Sequence, residues 1–151
     1  MRIESFLEQS PVFQVSRVAR RMEAAMNGLL AAEGVNLLEA LVLAALFFEK
    51  RGAVKPSYLA ETFQTTRGNV SHCVSSLEAK GLVKRQIDAE DARGVQLVLQ
   101  PLGRRRAVRV MGILDRTQRE LEQRLGAGEV TGMLEQLAAV AAVCEGWVTR
   151  G

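Results

Sequence analysis

Metal-ligating and catalytic side chains are scarce in this chain, which has one histidine (His72) and two cysteines (Cys73 and Cys144) in 151 residues. The cysteines stand far apart, with no CxxC and no Cys/His ligand spacing, so neither a metal site nor a disulfide framework is expected. No nucleophile–base pair, phosphate-cradling loop or plausible pair of carboxylates stands out, which argues against an enzyme and implies no cofactor. No apolar run reaches the ~18 residues of a membrane span. The first residues, MRIESFLEQSPVF, lack the basic start and long apolar stretch of a signal peptide. A cytoplasmic protein without a membrane partner is the expectation. Repeats, low-complexity tracts and Pro/Ser-rich linkers are also missing, which favours a single domain over residues 1–151, long enough to bury a core without staples.

Net charge is only +3, and its distribution says more than its size. Residues 1–50 carry 5 basic and 6 acidic side chains, and residues 107–151 likewise 5 and 6. Residues 51–106 carry 10 basic and 5 acidic, so the middle third holds all the excess positive charge. A segment that meets a polyanion would show this, and so would a solvated basic face.

The ends read as long amphipathic helices. Val15, Val18, Ala19, Met22, Ala25, Met26 and Leu29 follow helical spacing, as do Ala107, Met111, Leu114, Gln118, Leu121 and Leu125. Val130, Met133, Leu137, Val140 and Cys144 form a third stripe, separated from the second by Gly126 and Gly128. Three such stripes exceed what one small domain can cover, so a second copy of the chain is the economical partner, with an intramolecular bundle as the alternative.

Between the ends the elements are short. Asn36 with Glu39 forms a capping box opening a helix over 37–50, with Gly52 as its stop. Its Leu41, Val42, Leu43, Leu46, Phe47 and Phe48 make it apolar nearly all round and central to the core. Pro56 starts a short helix through Tyr58, Leu59 and Phe63. Thr66 caps a third helix over 67–80 that Gly81 ends. Residues 82–87 and 95–99 then alternate as strands around the polar loop 88–94. The predicted fold is mainly α with a small β-hairpin wing: a winged helix-turn-helix over 36–103, with long helices in 1–34 and 104–151.

Two features suggest double-stranded DNA as a partner. In the third helix, Val70, Cys73, Val74 and Leu77 share one face, leaving Arg67, Asn69, Ser71, His72, Ser75 and Ser76, with Thr66 at the cap, on a small, donor-rich side suited to a major groove. Any surface helix is polar, but here a companion short helix and the tight turn Gln64-Thr65 sit at helix-turn-helix spacing. The second feature is the loop DAEDARG, whose Arg93 could enter a narrow minor groove with Asp91 orienting its guanidinium. Both cysteines lie on apolar faces and read as packing residues, whereas a thiol sensor needs an exposed thiolate. Met22, Met26, Phe47 and Phe48 with Arg17 or Arg21 would suit an apolar pocket for a carboxylate, and are explained equally well as core.

The stretch NVSHCVSSLEAKGLVKR (Asn69 to Arg85), the wing pattern DxxDxR (Asp88 to Arg93) and the following LxLxPxGR (Leu97 to Arg104) together resemble MarR-family transcription regulators. The resemblance covers essentially the whole chain. It implies a homodimer of interlocked terminal helices holding two winged domains on a pseudo-palindromic operator. It also implies regulation, mostly repression, relieved by a small ligand, commonly an aromatic or phenolic acid. Arg93 would be the minor-groove arginine and Asp91 its partner, with Thr66, Arg67, Asn69, Ser71 and His72 facing the major groove or its phosphates. Gln100, His72 and Cys73 depart from the usual threonine, arginine and larger aliphatic. The peroxide-sensing branch has a reactive cysteine in the first helix, which is missing here. A winged-helix protein–protein module without DNA binding is the competing expectation.

Overall fold

A computed structural model describes residues 2–49, 54–87, 90 and 94–150. The chain forms two compact units, Met1–Met111 and Gly112–Gly151, and the division falls inside one long helix. The first unit opens with two helices, α1 (Ile3–Gln9) and α2 (Pro11–Leu30). Sequence periodicity signals α2 alone, because α1 is too short to show a stripe. Ser10 separates them: its hydroxyl accepts from the Phe13 amide and Pro11 takes the first helical position. A 3₁₀ turn, Ala31–Glu33, follows.

Helix α3 (Leu37–Phe48) starts on the expected capping box. The Asn36 side chain accepts from the Glu39 amide at 2.9 Å, and Glu39 accepts from the Asn36 amide at 3.1 Å. The Asn27 carboxamide oxygen accepts a further orphan donor of this terminus, the Leu37 amide. Val42, Leu43 and Leu46 are buried as expected, together with Leu30, Leu59, Val70, Val74, Leu77, Leu82 and Leu97. Each such aliphatic contributes about 1.5–3 kcal/mol by leaving water. Two expectations need correction. The helix ends at Phe48 with Glu49 already extended, not at Lys50. Lys50 and the expected stop at Gly52 lie outside the described residues. Phe48 is 69% exposed, because it follows Leu41 and Ala45 along the face of α3 turned furthest from the core.

Helices α4 (Pro56–Thr62) and α5 (Arg67–Ala79) form the helix-turn-helix. Phe63, expected inside α4, is its C-cap. The turn is a Schellman closure, with the Gln64 amide donating to the Glu61 carbonyl and the Thr65 amide to that of Ala60. Gln64 therefore holds φ +52, a left-handed conformation that costs about 1 kcal/mol in a residue with a Cβ. Helix α5 ends on the same closure at Gly81, φ +73, at no such cost. Strands β1 (Val83–Ile87) and β2 (Val95–Leu99) pair antiparallel, with Val83 opposite Leu99 and Ile87 opposite Val95. Val54 bridges the outer edge of β2 through both backbone groups of Leu97.

Helix α6 (Pro101–Leu125) buries Gly103, Ala107, Val110 and Ile113; of the expected stripe Ala107 is buried, while Met111, Leu114 and Gln118 are only half-buried or exposed. Spacing alone could not decide which face the core takes. Gly126 makes the break before α7 (Ala127–Arg150), so Gly128 lies in the first turn of α7 and not in the break. In α7 only Val130 is buried, and Met133, Leu137 and Val140 stand in solvent. Among the described residues α7 is the one helix long and apolar enough to cross a membrane by length and composition, which corrects the expectation that no segment reaches that threshold. Glu135 and Glu145 interrupt it, and a carboxylate at mid-bilayer costs about 2.5–3.5 kcal/mol.

Gly103 explains itself by contact. A Cβ there would lie 1.9 Å from the Leu82 carbonyl oxygen, which accepts from the Gln100 amide and so fixes where α6 leaves the hairpin. Gly103→Ala should lower stability by about 2–4 kcal/mol in urea unfolding, since backbone and not a mobile side chain must shift.

Candidate nucleic-acid interface

Helix α5 is sharply two-sided. Val70, Cys73, Val74 and Leu77 are buried, while Thr66, Arg67, Asn69, Ser71, His72 and Ser75 are all exposed on one surface. No aliphatic side chain stands among them to hold a groove away. Their hydrogen bonds divide them into two sets. Thr66 caps the helix, accepting from the Asn69 amide at 3.0 Å, and the Asn69 carboxamide donates to the Thr65 hydroxyl at 2.9 Å. The Ser75 hydroxyl accepts from Arg85. Among the described residues the side chains of Arg67, Ser71 and His72 make no hydrogen bond or ion pair. Thr66, Asn69 and Ser75 therefore shape the surface as well as line it.

Two polar anchors hold α5. From α3, the Glu39 carboxylate, 4% exposed as a residue, accepts from the Ser76 hydroxyl at 3.0 Å and pairs with the Lys80 ammonium at 2.7 Å. From β1, Arg85 spans the helix's outer side. Its guanidinium donates to the Ser71 carbonyl and the Ser75 hydroxyl and pairs with the Glu78 carboxylate. Glu39 was legible in the sequence as a cap but not as an anchor. The role of Arg85 could have been found from strand alternation: Val83, Arg85 and Ile87 share a face, and a cation on the face that enters the core needs a partner.

Burial pushes the Cys73 thiol up to about 12, with the Glu39 carboxylate adding to the shift and Lys80 opposing it. Cys73 is thus a protonated packing group, and Cys144 is half-buried.

The wing rises out of the core along its own length. Val83 and Leu97 are buried at its base, while Ile87 and Val95, paired near the tip, are exposed. Asp91 and Arg93 lie outside the described residues. Lys84 is exposed on the face of β1 opposite Arg85. Three of the residues considered for a ligand pocket have partners of their own. Arg17 stacks on Phe13 and donates to Gln14 of its own helix, while Phe47 packs edge-on against Phe48 with Arg104 over its ring.

Residues 33–94 match the MarR family model. The Escherichia coli HTH-type transcriptional regulator PrsX is 32% identical over 87 residues, 58% of this chain and 52% of PrsX. The chain thus spans about half the length of the E. coli relatives it matches. Among solved structures, the S. aureus MepR–DNA complex superposes with a TM-score of 0.83 at 20% identity, covering 89% of this chain and 98% of MepR. CouR from Rhodococcus jostii, bound to p-coumaroyl-CoA, gives 0.75 at 24%, covering 89% and 94%. At these identities the structural likeness speaks for the fold. The likeness to the MarR family thus lies in the winged segment, residues 33–94.

Proposed function

We propose that the chain is a sequence-specific regulator that binds double-stranded DNA as a homodimer, with α5 in the major groove and the wing at the minor groove. The observation that carries this reading is the exposed face of α5, free of aliphatics, where Arg67, Ser71 and His72 stand uncommitted. Thr66, Asn69 and Ser75 complete that surface, and Arg93 with Asp91 serve at the wing tip. Occupying an operator is enough to block transcription, so repression needs no further surface. Residues 1–34 and 104–151 would supply the dimer interface. Val12, Val15, Val18, Met22 and Leu29 of α2 and Met133, Leu137, Val140 and Val143 of α7 are exposed in the single chain, and a twofold partner would cover them. A regulator of operators would act in the cytoplasm. The p-coumaroyl-CoA bound to CouR supports an aromatic acid derivative as the releasing ligand. A thiol signal is disfavoured by the burial of Cys73.

Affinity for mixed genomic duplex should fall by on the order of 10³ or more between ~50 and ~200 mM salt, as phosphate contacts release counterions. Sites selected from a random duplex library should show half-sites about one helical turn apart. Failure to bind duplex at either salt would overturn the reading in favour of a protein–protein module. Arg93→Ala should weaken binding to a selected site by about 1–3 kcal/mol, with light scattering still reporting a dimer; unchanged affinity removes the role given to Arg93.

Cys73 should resist iodoacetamide in the folded chain and react only once urea unfolds it. Because its folded thiol keeps a proton up to about 12 while the unfolded one ionises near 9, its contribution to stability is complete below pH 9 and is lost as the pH rises from 9 toward 12. That part of the decline should disappear in Cys73→Ala, as measured by denaturation at pH 8 and pH 10.5.

A further inference from the structure

We propose that Arg85 is a positioning residue that fastens the wing to α5, so that the two DNA-facing elements dock as one preformed unit. The inference rests on the DNA-binding reading above and adds a part the contact surface alone does not reveal.

Three observations carry it. The guanidinium fork of Arg85 is engaged on three acceptors of one helix: the Ser71 carbonyl at 3.2 Å, the Ser75 hydroxyl at 3.3 Å and the Glu78 carboxylate. The main chain joins the same contact. Leu97, opposite Arg85, gives both its backbone groups to Val54 on the far edge of β2, so this pair exchanges no ladder bonds. The Arg85 amide therefore points out of the hairpin, where the second Glu78 oxygen accepts it at 3.3 Å. Finally, Arg85 shares its strand face with Val83, which is buried, while Lys84 stands exposed on the opposite face. Lys84 is placed as a phosphate contact would be, and Arg85 is not.

The hairpin has two strands, too few to be stable without packing against a neighbour. One edge is closed by Val54 and the other by the Glu78 carboxylate. Arg85 thus sets the angle at which the wing leaves α5. Two elements that must reach different grooves in one docking event gain affinity when that angle is fixed beforehand, because less freedom is lost on binding. A lysine has the charge but no planar fork to span three acceptors.

The test uses the full-length chain and its Arg85→Ala, Arg85→Lys, Glu78→Gln and Arg85→Ala/Glu78→Gln variants. Amide hydrogen exchange is measured without DNA, and affinity for a library-selected duplex across a salt series. Exchange should quicken together in residues 71–79 and 83–87 of Arg85→Ala and Glu78→Gln, because one contact protects both segments. Each should bind duplex roughly tenfold more weakly, the double variant no worse than the weaker single one, with the salt slope of the parent. Arg85→Lys, expected to stay folded even where the alanine variant does not, should recover only part of the affinity.

The sign of the Glu78→Gln effect decides the matter. If Arg85 were a phosphate contact held back by Glu78, removing that carboxylate would tighten binding, and Arg85→Ala would lower the salt slope by about one. Either result overturns the proposal, as does full recovery by lysine or unchanged exchange in both segments. A parent chain that binds no duplex would remove the DNA reading, while the exchange data would still decide whether Arg85 joins wing and helix.

Discussion

The geometry of the winged half depends on one buried carboxylate. Glu39 closes the first turn of α3 by accepting from the Asn36 amide, and with its other oxygen holds Ser76 and Lys80 of α5. Withdrawing a carboxylate from water costs several kcal/mol and is repaid only where short, charge-assisted bonds surround it. Lys80 supplies the short ion pair at 2.7 Å, and Ser76 and the Asn36 amide add ordinary hydrogen bonds at 3.0 and 3.1 Å. The apolar core beneath, from Leu43 to Val74 and Leu77, supplies more free energy but no direction, since aliphatic side chains tolerate rotation and slippage. Glu39 restricts α5 to one axial position against α3. Its charge also reaches Cys73, adding to the effect of burial in keeping that thiol protonated.

Much of this architecture was legible where local chemistry speaks alone. The Asn36–Glu39 box, Pro56 at a helix start, the Thr66 cap and the Gly81 stop each depend on residues within four positions, and all appear where spacing put them. The buried face of α5 followed from its period. Sequence reading erred where a helix has apolar residues on more than one face. In α3 the run from Leu41 to Phe48 cannot say which residues lose solvent, and Phe48 stays out. In α6 the periodic stripe and the buried stripe share only Ala107, since the contact at Gly103 is set by the Leu82 carbonyl and not by hydrophobicity. α7 passes as a membrane span by composition although its apolar residues are interrupted by Glu135 and Glu145.

The candidate site shows the same division. Which residues of α5 face outward is a matter of helical period, and Thr66, Arg67, Asn69, Ser71, His72 and Ser75 are indeed outside. Which of them are uncommitted is a matter of tertiary bonding. Ser75 is tied to a strand ten residues further along the chain, and Asn69 to the residue before its own cap. A donor-rich face read from sequence therefore overstates the groups available to a ligand and misses those, like Arg85 and Glu39, that hold the face still.

The polar bonds that direct this half also form a connected route. Asn27 in α2 receives the Leu37 amide at the start of α3; Asn36 and Glu39 close that same turn; Glu39 holds Ser76 and Lys80; and α5 passes through Ser71, Ser75 and Glu78 to Arg85 on the wing. Past the same end of α2, Glu33 of the 3₁₀ turn pairs with Arg109 of α6 and gives its carbonyl to Arg106. Helix α2 also carries the unpartnered apolar face through Val15, Val18 and Met22. Helix α2 and its 3₁₀ turn thus touch, through Asn27 and Glu33, the starts of both α3 and α6, and α3 in turn carries the carboxylate that holds α5 beneath the wing.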